Sequence, residues 1–176
     1  MSAQQENPDP VFQRFLARQV EEGIALAQSS DLLDLYLPPA APPHFIAEFH
    51  CMGLVREGEG EIREANEFQV GIWFPPDYLR RGDPFRILRV LTPHVWHPNV
   101  SREIPLICIG RLTPGTALVD ILYQLFDIIT YQKYNPREDD SLNKAACAWA
   151  RANQDKFPVD RRPLKRQPLN LEVRPV

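Results

Sequence analysis

Between positions 11 and 28, Phe12, Phe15, Leu16, Val20 and Ile24 recur at helical spacing, while Arg14, Arg18, Glu21 and Glu22 fill the remainder. That stripe predicts an amphipathic first helix. Ser29-Ser30 closes it, and Pro38, Pro39, Pro42 and Pro43 exclude a helix from the connection that follows. The period then changes to two. Phe45, Ala47, Phe49, Cys51 and Val55 alternate with partners that include Glu48 and His50, which predicts a half-buried strand with Cys51 as core filling. After the turn Glu57-Gly58-Glu59-Gly60, Phe68, Val70, Ile72 and Phe74 share one face, with Glu67, Gln69 and Gly71 on the other. A third strand is expected over residues 85–91, beyond the loop at Arg80-Arg81-Gly82-Asp83. Short connections between successive strands favour an antiparallel meander.

Helical periodicity returns at Leu118, Ile121, Leu122, Leu125, Phe126 and Ile129, with Thr113 as the expected cap and Pro114 in the first turn. This reads as the central buried helix. Leu142, Ala145, Ala146 and Trp149 form another stripe, opened by Asp139, Asp140 and Ser141, where the helix dipole favours negative charge. Cys147 falls off that stripe. The pattern therefore divides into a domain over residues 1–156 and a Pro/Arg-rich tail over 157–176, extended or partly disordered. Within the tail, Leu169, Leu171 and Val173 alternate with polar residues, as a strand added to a sheet edge would.

A chain of 176 residues with 44% hydrophobic content supports one core and an appendage. A net charge of −3 and no basic stripe argue against nucleic acid as a partner. The polar start and the absence of a run long enough to span a bilayer predict a soluble, cytoplasmic protein without a membrane partner. Three widely spaced cysteines, Cys51, Cys108 and Cys147, do not form a disulfide framework. The four lysines, Lys133, Lys144, Lys156 and Lys165, all lie late in the chain, and arginine supplies the other cations. GC-rich coding accounts for that bias, as would an enzyme that offers an activated ester to amines and benefits from few lysines of its own.

The chemistry concentrates at Trp96-His97-Pro98-Asn99, a rigid turn upstream of Cys108. A thiolate accepts an acyl group and passes it to an amine, and a neighbouring side-chain amide can stabilise the oxyanion that forms. The tripeptide alone is weak; the ordered set is stronger. Phe74-Pro75-Pro76-Asp77-Tyr78, the aromatic-His-Pro-Asn turn, the cysteine, Thr113-Pro114-Gly115-Thr116 before a buried helix, and Asn135-Pro136-Arg137-Glu138-Asp139-Asp140 before the next one together resemble the ubiquitin-conjugating enzyme family over residues 10–153.

That resemblance implies an α+β fold: a first helix and a four-stranded antiparallel meander packed on helices. It implies that Cys108 forms a thioester with a ubiquitin-like protein delivered by an activating enzyme, for transfer to a target lysine, with or without a ligase. Asn99 would stabilise the oxyanion and organise the loop, His97 would be a structural member of the turn, and Asp139 or Asp140 would orient or deprotonate the amine, with residues 134–140 bordering the acceptor. The first helix, residues 75–85 and residues 113–115 match regions that meet activating enzymes and ligases. No cofactor is implied, because ATP is spent upstream.

The chain departs from the family pattern in several places. Asn99 and Cys108 are one residue further apart than in the common eukaryotic pattern, and Arg102-Glu103-Ile104-Pro105 replaces the usual Asn-Gly turn. Ile109-Gly110 stands for the familiar Leu-Asp, the loop after Tyr78 is longer, the tryptophan usual before the Pro-containing turn is missing, and the tail replaces the final helices. These point to a divergent bacterial relative; bacterial antiviral defence is one setting for such proteins. The main rival is a non-catalytic adaptor that binds a ubiquitin-like protein. Weaker rivals are a cysteine hydrolase at Cys108, which would need a histidine within reach of the sulfur, and a metal site from His94, His97 and Cys108 with His44 or His50; the His94-x-x-His97 spacing suits one ion, but Pro98 and the lack of a matching Cys or His pair count against it, and no metal is expected.

Overall fold

The computed structural model describes residues 9–40 and 42–165. Helix α1 (Pro10–Gln28) begins where Asp9 accepts the Val11 N–H at 2.9 Å, with Pro10 in the first turn, where its missing donor is harmless. Its buried face is Phe12, Leu16, Gln19, Gly23 and Leu26. Ile24, expected on that face, remains 37% exposed. The helix comes closest to its neighbours at Gly23, where a Cβ would lie 2.8 Å from Leu35 and 2.9 Å from Leu118. A bare backbone therefore occupies the contact line, and the larger Ile24 is turned aside.

The strands are β1 (Leu33–Tyr36), β2 (His44–Phe49), β3 (Gly53–Val55), β4 (Arg63–Ala65), β5 (Phe68–Trp73) and, after the helical turn α2 (Pro84–Ile87), β6 (Leu88–Val90). β1, β2, β5 and β6 form an antiparallel four-stranded sheet in that order, as the meander pattern predicts, and β3–β4 is a separate hairpin inserted between β2 and β5. Phe45↔Ile72, Ala47↔Val70 and Phe49↔Phe68 are directly paired, so the inward residues of both central strands make one layer.

Three sequence expectations change here. The strand expected from Phe45 to Val55 is interrupted after Phe49: the Met52 N–H bonds the Asp160 carboxylate at 2.9 Å instead of a strand, and Gly53, Leu54 and Val55 are all buried. Residues 85–91 are only partly strand, because Asp83 caps the Phe85 N–H at 3.0 Å and Pro84 starts a helical turn. The short strand β1 supplies the fourth strand at a place that periodicity did not mark; it is held by pairing Leu33 to Phe49 and Tyr36 to Ile46 rather than by any pattern of its own.

Helix α3 (Leu118–Ile129) carries the predicted central stripe, with Leu118, Ile121, Leu122, Leu125, Phe126, Ile128 and Ile129 all buried. It starts later than expected and is not capped by Thr113, which instead forms a turn with Thr116. Its first N–H is satisfied from outside: Gln19 on α1 accepts the Leu118 N–H at 2.7 Å and donates to the Phe15 carbonyl at 3.2 Å. Helix α4 (Lys144–Ala152) is capped by Asn143, not by Asp139 or Asp140, which lie in a separate 3-10 turn (Glu138–Asp140). It buries Ala146, Cys147 and Ala150, leaving Ala145 exposed.

From Phe157 to Leu164 the chain lies against the body: Phe157 stacks on Tyr131 at 4.4 Å, the Val159 N–H reaches the Thr130 carbonyl, and Leu164 is buried beside the Ser30 hydroxyl, which bonds its carbonyl. The strand pattern at Leu169, Leu171 and Val173 lies outside the described residues. No described helix is long and apolar enough to cross a membrane.

Gln19→Leu should leave the Leu118 N–H buried without a partner and cost about 1–3 kcal/mol. Urea unfolding should show a lower midpoint with an unchanged slope.

Candidate active site

Pro98 lies between two side chains that point inward, and its own carbonyl is tied down. It accepts the Asn143 N–H at 3.1 Å and the Ser141 hydroxyl at 3.0 Å, which anchors the turn to the start of α4. Beyond it the chain doubles back on itself. Cys108 N–H bonds the Asn99 carbonyl at 2.8 Å, Val100 bridges Ile107, and Ser101 N–H bonds the Leu106 carbonyl at 3.0 Å. Arg102-Glu103-Ile104-Pro105 is the tip of this small hairpin. Arg102 fixes the tip from one side by donating to the Gly58 carbonyl at 3.0 Å and to Glu59 at 3.1 Å, with its guanidinium 5.9 Å from the Trp96 ring centre. The Pro105 carbonyl fixes it from the other by accepting the Val90 N–H.

Asn99 is nearly buried and uses both ends of its side chain. Nδ2 donates to the Cys108 carbonyl at 2.8 Å, and Oδ1 accepts the Asn135 N–H at 2.9 Å. One amide therefore links the turn, the cysteine strand and the segment before the 3-10 turn. Asn135 extends the chain of bonds, donating through Nδ2 to the Asp140 carboxylate at 3.2 Å and the Asp140 carbonyl at 3.3 Å. Asp140 is thus coupled through Asn135 and Asn99 to Cys108. Asp139 is engaged elsewhere: its exposed carboxylate meets the Arg137 guanidinium at 3.0 Å, and that hydrogen bond holds it below the usual carboxylate range.

His97 is fully enclosed. Its Nδ1 accepts the Asn99 N–H at 3.0 Å, so the proton sits on Nε2, which has no hydrogen bond of good geometry. Burial drives its pKa down to about 3, against a smaller opposing influence of the Lys133 backbone carbonyl. A neutral imidazole at that depth is a packing and accepting group. Its ring lies 4.3 Å from Tyr131, whose hydroxyl bonds the Trp96 carbonyl and whose ring stacks on Phe157. Tyr131 itself takes a left-handed backbone, φ 59°, at the end of α3. The conformation disfavours a large side chain, and the aromatic contacts of the buried ring hold it there.

The three thiols are not equivalent. The alternation Ile107 buried, Cys108 part-exposed, Ile109 buried turns the Cys108 side chain outward. Cys51 is buried in the main core, and burial first, then the Asp160 charge, pushes its pKa up to about 12. Cys147 is buried beneath Asn135, whose carbonyl it approaches at 3.4 Å. Sequence reasoning singled out Cys108, Asn99, His97, Asp139 and Asp140. Hydrogen bonds join Cys108, Asn99, His97 and Asp140 into one network, and they leave Asp139 with Arg137. Asn135, Ser141, Asn143 and Tyr131 carry that network and were not singled out as individual residues. Asn-Pro before a helix start was their one local signal.

Neither protein-family models nor curated protein sequences match the chain. Solved structures do. A Toxoplasma gondii ubiquitin conjugating enzyme E2 domain superposes with a TM-score of 0.52 at 19% identity, covering 81% of this chain and 91% of that one. A putative ubiquitin conjugating enzyme from Plasmodium yoelii gives 0.51 at 19% identity, covering 89% and 92%. The likeness establishes a ubiquitin-conjugating-like α+β fold.

Two outcomes follow from this geometry. A disulfide-forming thiol reagent should modify one cysteine quickly in the native protein, and Cys108→Ser should abolish that fast phase; a mass-resolved time course reads it directly. The His97 pKa of about 3 lies below its ordinary 6.5, so the unfolded chain takes up a proton that the native one refuses. Native stability therefore holds above about pH 6.5 and declines as pH falls toward 3, by about 2 kcal/mol between roughly pH 7 and pH 5. His97→Gln should flatten that slope in chemical unfolding measured across the same range.

Proposed function

We propose that this chain is a ubiquitin-conjugating-like acyltransferase. The supporting observation is the pairing of an outward-facing Cys108 with a buried, pre-positioned Asn99 amide inside one hydrogen-bonded hairpin. In this reading the Cys108 thiolate attacks the thioester carbonyl of a ubiquitin-like protein carried by its activating enzyme. A new C–S bond forms and the enzyme's thiolate leaves. An acceptor lysine then attacks the Cys108 thioester, the C–N bond forms, the C–S bond breaks and the Cys108 thiol is released.

Charge appears on the carbonyl oxygen during each attack. Asn99 has two N–H groups, one donated to the Cys108 carbonyl and one for the oxyanion, and a donor of this kind contributes on the order of 10²–10³ in rate. The acceptor lysine ammonium must lose a proton to become the attacking amine, and Asp140, held by Asn135, is the carboxylate tied to the Cys108 network that would take it. Asp139, paired with Arg137, serves the acceptor side less directly. His97 cannot act as the base, because it is sealed and already accepts a backbone N–H. This excludes a Cys–His hydrolase built on that pair.

Reconstitution tests the reading: the chain, an activating enzyme and a ubiquitin-like protein from the same organism, and ATP. Wild type should give a reductant-sensitive adduct, Cys108→Ser a reductant-resistant one, and Cys108→Ala none. Asn99→Asp keeps the acceptor for Asn135 and loses the donor, so single-turnover discharge to lysine should fall by about 10²-fold or more while the thioester still forms. If a self-charged activating enzyme yields no adduct and the modifier nonetheless binds, the chain is an adaptor.

A further inference from the structure

On the outward face of the sheet, Asp34 on β1 stands directly opposite Glu48 on β2, and His50, two residues beyond Glu48, projects on the same side. The donor atoms of these three residues all lie within 4.8 Å of one another. His50 Nε2 is 2.8 Å from Asp34 Oδ2 and 3.6 Å from Glu48 Oε1. We propose that Asp34, Glu48 and His50 form a binding site for one divalent transition-metal ion, zinc by its ligand chemistry, with water completing the coordination.

Charge calls for an ion here. Two carboxylates directly opposite on paired strands repel each other. Among the described residues no arginine or lysine forms an ion pair with either; His50 is their one basic contact. A divalent cation removes that repulsion.

Geometry supplies the rest. Zinc bonds nitrogen and carboxylate oxygen at about 2.0–2.2 Å, so neighbouring ligand atoms around it sit about 3.3–3.5 Å apart. The Glu48–His50 separation of 3.6 Å lies just above that range and the His50–Asp34 contact of 2.8 Å below it, with all three ligand atoms within 4.8 Å of one another, so the adjustment falls mainly to Asp34, the most exposed of the three. Glu48 is only 13% exposed at its side chain and its carboxylate is oriented from behind: Gln69 Nε2, on the strand paired with β2, donates to Oε2, and the Tyr36 hydroxyl lies 3.4 Å from Oε1. An outer partner of this kind fixes a ligand's direction. The His50 backbone is pinned as well, its N–H on the Leu32 carbonyl at 2.9 Å and its carbonyl on Arg162 at 3.3 Å.

An imidazole with two carboxylates suits zinc and its neighbours, whereas magnesium and calcium prefer oxygen-only sets. The site is at the β1 edge of the sheet, and the Cys108 hairpin lies beside β6 at the opposite edge, so it stands apart from the thioester chemistry.

Isothermal titration of the full chain with zinc chloride tests the proposal, with magnesium chloride as the contrast. We expect one equivalent of zinc, no saturable magnesium heat, and unchanged zinc affinity in Cys108→Ala. His50→Ala and Glu48→Gln should each weaken zinc by at least about tenfold, and Gln69→Leu, which touches only the outer partner, by about 10–100-fold. Circular dichroism without metal verifies that each variant is folded, and Asp34→Asn, at the most exposed position, serves if another variant is not. Absence of a saturable zinc heat, binding that survives both His50→Ala and Glu48→Gln, or binding that disappears in Cys108→Ala would each overturn the site.

Discussion

The Asn99 side-chain amide is the interaction on which the candidate site depends. Its two ends bind backbone groups from two other segments, so three stretches of chain meet at one nearly buried residue. A hydrogen bond in such a setting is worth more for the arrangement it enforces than for its net energy, because each partner would otherwise be left buried and unpaired. Cys108 reaches its position through the same residue, since the Asn99 carbonyl also receives its N–H. The connection from Asn99 to Cys108 turns at the hairpin tip, where Arg102 and Pro105 have partners outside the site.

Beneath the turn lies a second, smaller apolar cluster distinct from the main core. It contains Leu54, Trp96, Tyr131, Ala146 and Ala150, with Trp149, Phe157 and Val159 packed against it. Tyr131 meets the rings of His97, Tyr134, Trp149 and Phe157 there. This cluster explains why an imidazole can be buried at His97: a neutral ring fills aromatic space and still offers one acceptor to the Asn99 N–H, which a phenyl group could not. It also explains why residues 157–164 belong with the folded body, since they complete the cluster and its neighbours.

The sheet separates two kinds of surface. Its inner side is the aromatic and aliphatic layer of β2 and β5, which shares one core with the buried residues of α1 and α3, and Phe49 meets Phe126 there. Its outer side carries the polar members of the same alternation, among them Asp34, Glu48, Gln69 and His50. Cys51 shows the alternation's consequence for reactivity: one position on from His50 and facing inward, its thiol is sealed, whereas the alternation around Ile107 and Ile109 faces Cys108 outward.

Local pattern by itself determined the elements whose burial repeats regularly along the chain, namely α1, the α3 stripe and the alternation of β2 and β5, together with the turn at residues 57–60. Periodicity records burial, and burial of a regular element is written every second or every third and fourth residue. Tertiary structure alone decided what depends on contacts distant in sequence. β1 exists because Phe49 and Ile46 offer it pairing, α3 begins at Leu118 because Gln19 on another helix accepts its N–H, and Asp140 rather than Asp139 joins the Cys108 network because Asn135 reaches it first. Asp34, Glu48 and His50 are scattered across two strands and a bend, and no spacing marks them as a group; the strand register alone brings them together. Side-chain hydrogen bonds and cross-strand neighbours leave no period in the sequence, since each is set by where the chain returns rather than by what comes next.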